Sequence, residues 1–188
     1  MDYGLTWNRI DSLLEFKKIS SMILDYDKRL YICPSPRTIF YQNENSTEWK
    51  RIKTEFLSVD ISCFGITLEN DVIVGLKGMN GTYTINKTKD TLLEFTKSLS
   101  GNSVNTIEIN LAGKVFASTN YGFCLLNDKK SEWILQSILA GINALKINEK
   151  NEIYASITNG NIYKSSDNGI TWKDRKSTRL NSSHRIRS

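Results

Sequence analysis

Histidine is almost missing from this chain. Its 188 residues hold one, His184, beside three cysteines, Cys33, Cys63 and Cys124. With no histidine before residue 184 there is no imidazole to serve as the base of a serine or cysteine triad, to shuttle protons or to hold zinc. The cysteines are odd in number, lack a CxxC spacing and have no histidine to activate a thiolate. They read as small buried hydrophobes and leave the redox compartment open. The sequence thus calls for no cofactor, no metal and no catalytic residue. There are only two prolines, so no proline-rich linker divides the chain. No apolar run approaches the ~18 residues of a membrane span, and no signal peptide is visible. A phosphate-binding loop is absent too: Gly75-Leu76-Lys77-Gly78-Met79-Asn80-Gly81 lacks the GK[ST] ending and reads as an expanded loop. Helical periodicity of 3.6 residues does not persist, apart from Leu13 to Lys18, which reads as a connector.

What is present is a fourfold internal repeat. An apolar pair, its members one residue apart, recurs as Met22 and Leu24, Phe64 and Ile66, Ile107 and Ile109, Leu145 and Ile147. Each pair leads into a stretch rich in Asn, Asp, Gly and Lys, as hairpin loops are. Then comes a denser apolar triplet: Leu30-Tyr31-Ile32, Val72-Ile73-Val74, Val115-Phe116-Ala117 and Ile153-Tyr154-Ala155. The triplet is expected to be the inner, most buried strand of each unit. A third apolar segment follows near Ile39, Thr82, Phe123 and Asn161. A second turn then ends on an aromatic that opens a fourth strand: Trp49, Trp133 and Trp172, with Leu93 to Phe95 in the second unit. Alternating short strands of this kind, four to a repeat of roughly 40–45 residues, predict an all-β chain of four-stranded antiparallel propeller blades. Three whole blades are expected near 19–55, 61–98 and 104–138, and a fourth from Leu139.

The turn before Trp172 reads Ser165-Ser166-Asp167-Asn168-Gly169-Ile170-Thr171-Trp172. Asp167 and Asn168 suit a tight turn, Gly169 supplies a positive φ, Thr171 restarts a strand and Trp172 offers a large ring to bury. Asp2, Gly4, Thr6 and Trp7 repeat Asp167, Gly169, Thr171 and Trp172 position for position. This S-x-D-x-G-x-T-W pattern resembles the Asp-box, or BNR repeat, of β-propeller proteins, a superfamily that includes photosystem assembly-factor-like, sortilin-like and sialidase-like members. The resemblance implies a structural role for Asp2, Gly4, Thr6, Trp7, Ser165, Asp167, Gly169, Thr171 and Trp172. Because the first copy begins at its second residue, the chain is expected to be an incomplete propeller over residues 1–173. Such an open arc would show an apolar blade face at each end. Residues 174–188 resemble a translated sequencing adapter and are expected to be an artefactual, unstructured tail. Without them the body keeps 20 basic and 19 acidic residues. The formal +5 of the whole chain is therefore no argument for nucleic acid.

The resemblance implies a non-catalytic module that binds a protein or glycan on a rigid disc, extracellular or periplasmic, without membrane insertion. The alternative is a fragment of a carbohydrate-active enzyme, sialidase-like or xyloglucanase-like, with its catalytic groups in missing blades. Sialidases use an Arg-Ile-Pro motif and three arginines; Pro36-Arg37-Thr38-Ile39 has the order wrong, and Arg9, Arg29 and Arg51 fall on outer strands or turns. In a propeller the loops joining second and third strands share a face with the links between blades. These loops carry Arg37, Lys77, Asn80, Asn120, Tyr121 and Asn159, the candidate ligand-binding residues. Solvated turns carry the same residue types.

Overall fold

The computed structural model describes residues 6–7, 18–55, 58–78, 81–96, 99 and 102–175. They contain no helix and sixteen strands in four antiparallel sheets. The first sheet holds β1 (Ser21–Leu24), β2 (Leu30–Ser35), β3 (Thr38–Gln42) and β4 (Lys50–Ile52). The second holds β5 (Ile61–Ile66), β6 (Val72–Leu76), β7 (Thr82–Asn86) and β8 (Thr91–Thr96). The third holds β9 (Val104–Ile109), β10 (Val115–Thr119), β11 (Phe123–Leu126) and β12 (Trp133–Ser137). The fourth holds β13 (Ile142–Ile147), β14 (Ile153–Ile157), β15 (Ile162–Ser165) and β16 (Lys173–Asp174). Each sheet is a simple meander in chain order. Sheets meet through their first strands, β1 beside β5, β5 beside β9 and β9 beside β13. These are the blades of a β-propeller, and the first strand of each lies nearest the axis.

That corrects one expectation. The apolar triplets form the most buried strands, β6 and β10 being buried at every residue, but they are second from the axis. A second strand is covered on both faces by neighbouring blades, whereas a first strand keeps one edge toward the axis. The middle residue of each triplet points to the following blade and its two neighbours to the preceding one. Tyr31 thus shares a core with Val72 and Val74, Ile73 with Val115 and Ala117, and Phe116 with Ile153 and Ala155. All nine are essentially inaccessible.

The turn joining first and second strands is built alike in all four blades. Its first side chain accepts the amide four residues on: Arg29 N to Asp25 Oδ1 (2.8 Å), Asp71 N to Thr67 Oγ1 (3.1 Å), Lys114 N to Asn110 Oδ1 (2.9 Å), Glu152 N to Asn148 Oδ1 (2.9 Å). The fourth residue of each turn takes positive φ, as Lys28, Asn70, Gly113 and Asn151. Asp25 alone is charged, and the Lys87 ammonium of the second blade meets its buried carboxylate at 2.7 Å.

Two further expectations shift. In the second blade the aromatic column is filled by Leu92, buried against Ile85, rather than by Leu93 to Phe95. At the far end, Asp174 pairs with Tyr163 in β16 and the Arg175 amide donates to the Ile162 carbonyl at 2.8 Å. Of these two residues, both assigned to the tail on sequence grounds, Asp174 belongs to the sheet and Arg175 is hydrogen-bonded to it. Residues 176–188, the Leu13 to Phe16 and Lys17 connector positions, Asp2, Gly4 and Asn80 lie outside the described residues.

Candidate functional site

The loops between second and third strands do share a face with the links between blades, and hydrogen bonds show why. Ile61 N donates to Pro36 O (2.5 Å) and Lys77 N to Asp60 O (2.7 Å). Gly78 N donates to Ser103 Oγ (2.9 Å), Asn120 N to Ser103 O (3.1 Å) and Thr158 N to Gly141 O (3.0 Å). Each loop is therefore tied to a link and held in place. Within the third-blade loop, Thr119 Oγ1 accepts the amides of Tyr121 (3.2 Å) and Gly122 (3.0 Å). Gly122 must stay small, because a Cβ there would stand 2.4 Å from the Ser137 carbonyl oxygen.

This network divides the candidate residues. Asn120 Oδ1 accepts Ser103 N (2.9 Å) and Asn159 Oδ1 accepts Asn161 N (3.0 Å), so both carboxamides staple turns. Arg37 Nε reaches Asp60 Oδ1 at 3.3 Å. Tyr121 stands in solvent, 59% exposed. Lys77 lines a small cleft of about 140 Å³ with Ser20, Ser35, Pro36 and Asp60. The structure thus leaves Tyr121, Lys77 and the Arg37–Asp60 pair on the loop face as groups a ligand could meet.

Around Asp167 the turn is self-contained. Its Oδ1 accepts the Thr171 amide (2.9 Å) and the Ser165 hydroxyl (2.7 Å), and its Oδ2 accepts the Thr171 hydroxyl. The Thr171 hydroxyl and amide, then the Ser165 hydroxyl, hold this carboxyl down at about 2. Ser165 Oγ also accepts Gly169 N at 2.9 Å. Trp172 crosses to the preceding blade, its indole N–H donating to Ser137 Oγ (2.9 Å) and its ring meeting Phe123 edge-on at 5.1 Å. Trp133 does the same one blade earlier, donating to Thr82 Oγ1 at 3.1 Å. Trp133 and Trp172 thus join neighbouring blades. Trp7 departs from this, being 89% exposed, with neither Thr6 nor Trp7 in a strand. Burial of Trp172 depends on Phe123 and Ser137 of the blade before it, and no described blade precedes Trp7.

No thiol is poised for chemistry. Burial pushes Cys63 up to about 12 and Cys124 to about 11, and raises Cys33. Among the described residues the arginines do not converge either: Arg29 lies over the Tyr41 ring, Arg37 on Asp60, Arg51 on Glu55 and Arg175 over the Tyr154 ring. Among the described residues no group of three His, Cys, Asp or Glu could hold a metal, and no helix is long and apolar enough to cross a membrane.

A larger cleft, about 410 Å³, opens beside the axis among the first strands. Sequence reasoning missed it. It depends on four strands from four blades lying side by side, which no local pattern records.

No family profile matches the sequence, and no curated protein does. Solved structures match its fold. The extracellular domain of BT4673, a two component system of B. thetaiotaomicron, superposes with a TM-score of 0.68 at 16% identity, over 84% of this chain and 22% of that one. Virginiamycin B lyase from Staphylococcus aureus gives 0.69 at 12% identity, over 86% and 56%. YCF48 bound to D1 peptide gives 0.63 at 11% identity, over 92% and 59%. The chain spans less than two thirds of the length of each. At these identities the likeness shows the fold, a β-propeller, and fold does not carry function.

Proposed function

We propose that the chain is a non-catalytic binding or scaffold module whose loop face, around Tyr121, Lys77 and the Arg37–Asp60 pair, meets a partner protein. The observation that carries this reading is the tying of those loops to the blade links, which fixes exposed side chains on a rigid frame. Binding groups held in place lose little conformational entropy on association. The protonated thiols and scattered arginines fit a site without bond-making chemistry. We read Ser165–Trp172 as an Asp-box that staples a turn and plants a ring between blades, consistent with its internal hydrogen bonds. A peptide on one propeller neighbour and the extracellular setting of another favour a protein partner and an extracellular or periplasmic location. A glycan is the other ligand class of the reading.

The test is direct. The chain is immobilised and probed with a displayed random-peptide library and with a glycan array. Tyr121→Ala and Lys77→Ala should each weaken whatever binds, with unchanged melting. Binding indifferent to both substitutions refutes the loop-face reading. Turnover of a glycan by the chain refutes the non-catalytic one.

A further inference from the structure

The opposite end of the axis, where first and second strands turn, carries an apolar collar that the fold does not need. The residue after each turn-capping side chain is Tyr26, Leu68 and Leu111 in the first three blades, exposed by 59%, 51% and 68%. Met22 on β1 is 69% exposed beside them. None of the four belongs to the three cores between blades. Large apolar side chains left in water contribute nothing to burial, and the fourth blade shows that a polar residue, Glu149, serves at the same turn position. Contiguous exposed apolar side chains of this kind mark interaction sites.

These residues ring the cleft of about 410 Å³, whose floor is Phe64, Gly65 and Ile107. That size falls within the ~300–1,000 Å³ of small-ligand pockets. The collar is held stiffly. Asn70 Oδ1 accepts the Tyr26 amide (2.8 Å) and Asn70 Nδ2 donates to Asp27 (2.8 Å), joining the turns of two blades. Leu68 lies against Gly113 of the next turn, its Cδ1 3.0 Å from where a Cβ would stand.

We propose that this cleft binds a short extended peptide segment bearing large apolar side chains. The polar part of its lining selects that class. Glu108 and Lys146 pair with each other, so no net positive field is left to hold nucleic acid or phosphate. A lipid tail laid over the cleft would strip water from that ion pair and from Asn110 without replacing its contacts. Tyr26 is the collar's one aromatic, so a sugar ring would find a single stacking face and only aliphatic side chains around it. A peptide supplies apolar side chains to the collar and main-chain donors and acceptors to the rest. Each first strand is the edge of its sheet, and such an edge offers backbone groups outside the ladder to an added segment. The cleft lies on the face opposite Tyr121 and Lys77, and the two proposals stand independently.

A phage-displayed library of random heptapeptides panned on the 188-residue chain tests it, with affinities of fluorescein-labelled selected peptides read by polarisation. Selected sequences should be rich in Leu, Ile and Phe. Leu68→Glu and Leu111→Glu should each weaken them at least tenfold, with circular dichroism and melting unchanged. Leu111→Met should restore binding, and Tyr121→Ala should leave it intact. The proposal is overturned if no sequence is enriched, or if binding survives both glutamates. Loss with Tyr121→Ala alone would also overturn it while upholding the loop face. Two other occupants would show themselves in the same variants. One is binding of phosphatidylcholine vesicles, the other a concentration-dependent dimer; either, lost with the glutamates in the absence of peptide selection, overturns a peptide site.

Discussion

Gly169→Ala separates two costs that usually arrive together. Gly169 and Gly160 both sit in the left-handed region, with φ of 85° and 86°. A residue with a Cβ pays about 1–2 kcal/mol there. At Gly160 nothing lies within 4 Å of a new Cβ, so conformational strain is the whole effect. At Gly169 the Cβ would stand 2.1 Å from Phe123 Cε1 and 2.4 Å from Cδ1. That is far inside the ~3.5–4.0 Å of favourable carbon contact. Phe123 has little room to give, being fully buried, stacked on Phe116 at 5.4 Å and edged by Trp172 at 5.1 Å. Overpacking of this kind costs about 1–3 kcal/mol. Gly160→Ala should therefore lose about 1–2 kcal/mol and Gly169→Ala about 2–5 kcal/mol. At ~2–4 °C per kcal/mol for a chain of this size, the second variant should melt some 2–12 °C below the first. Urea unfolding followed by tryptophan fluorescence, with matched slopes, measures both. Equal destabilisation of the two variants would refute the packing argument.

Asp167→Asn should lower the melting temperature at pH 7. The folded carboxyl titrates at about 2 against an ordinary 3.8, so the stability it lends is present above about pH 4 and is lost as pH falls toward 2. Wild type and variant should converge over that window, and a gap independent of pH would contradict the turn-staple role. Cys33, Cys63 and Cys124 should resist DTNB at pH 8 in the native protein, because burial raises all three thiols, and should all react in guanidinium. Fast native reaction at any one of them would contradict the raised thiols.

The blades were legible because a strand writes its burial into alternate residues: the triplet columns at Tyr31, Ile73, Phe116 and Tyr154 needed no tertiary information. The turn between first and second strands was legible as a turn, but its capping residue was not. Asp, Thr and Asn fill that column as Asp25, Thr67, Asn110 and Asn148, and what unites them is an oxygen at one position rather than a letter. Order from the axis was misread because burial and radial position differ: a second strand is covered on both sides while a first strand faces the axis. Among the candidate site residues, Asn120 and Asn159 spend their carboxamide oxygens on the fold itself, Asn120 on the Ser103 amide of the blade link and Asn159 on the Asn161 amide of its own loop. A sequence shows that a loop carries asparagine; it does not show which bonds the loop itself uses. The collar at Tyr26, Leu68 and Leu111 was overlooked for the converse reason. An apolar residue in a turn looks incidental until three blades bring three of them round one opening.

Tyr154 shows where column reasoning stops. Tyr31, Ile73 and Phe116 are each covered by the following blade, but no fifth sheet faces Tyr154 among the described residues. The expected bare apolar face stands there in part: Ile162 is 49% exposed beside a hollow lined by Ala144 and Tyr154, while charged side chains cover the Tyr154 ring. Lys164 and Arg175 each lie 5.7 Å from the ring centre, and the Tyr154 hydroxyl donates to Glu152 Oε2 at 3.1 Å. Glu152 in turn meets Lys164 at 2.6 Å, and that ammonium is the first cause of its carboxyl resting at about 2. Cations are attracted to the face of an aromatic ring, so the Tyr154 ring is dressed in charge. Residue type does not decide the outcome, since Tyr31 is the same residue and is buried. The column fixes which way the side chain points; the neighbours that reach over it decide whether it meets a blade or water. One of those neighbours is Arg175, which the adapter resemblance had assigned to the tail.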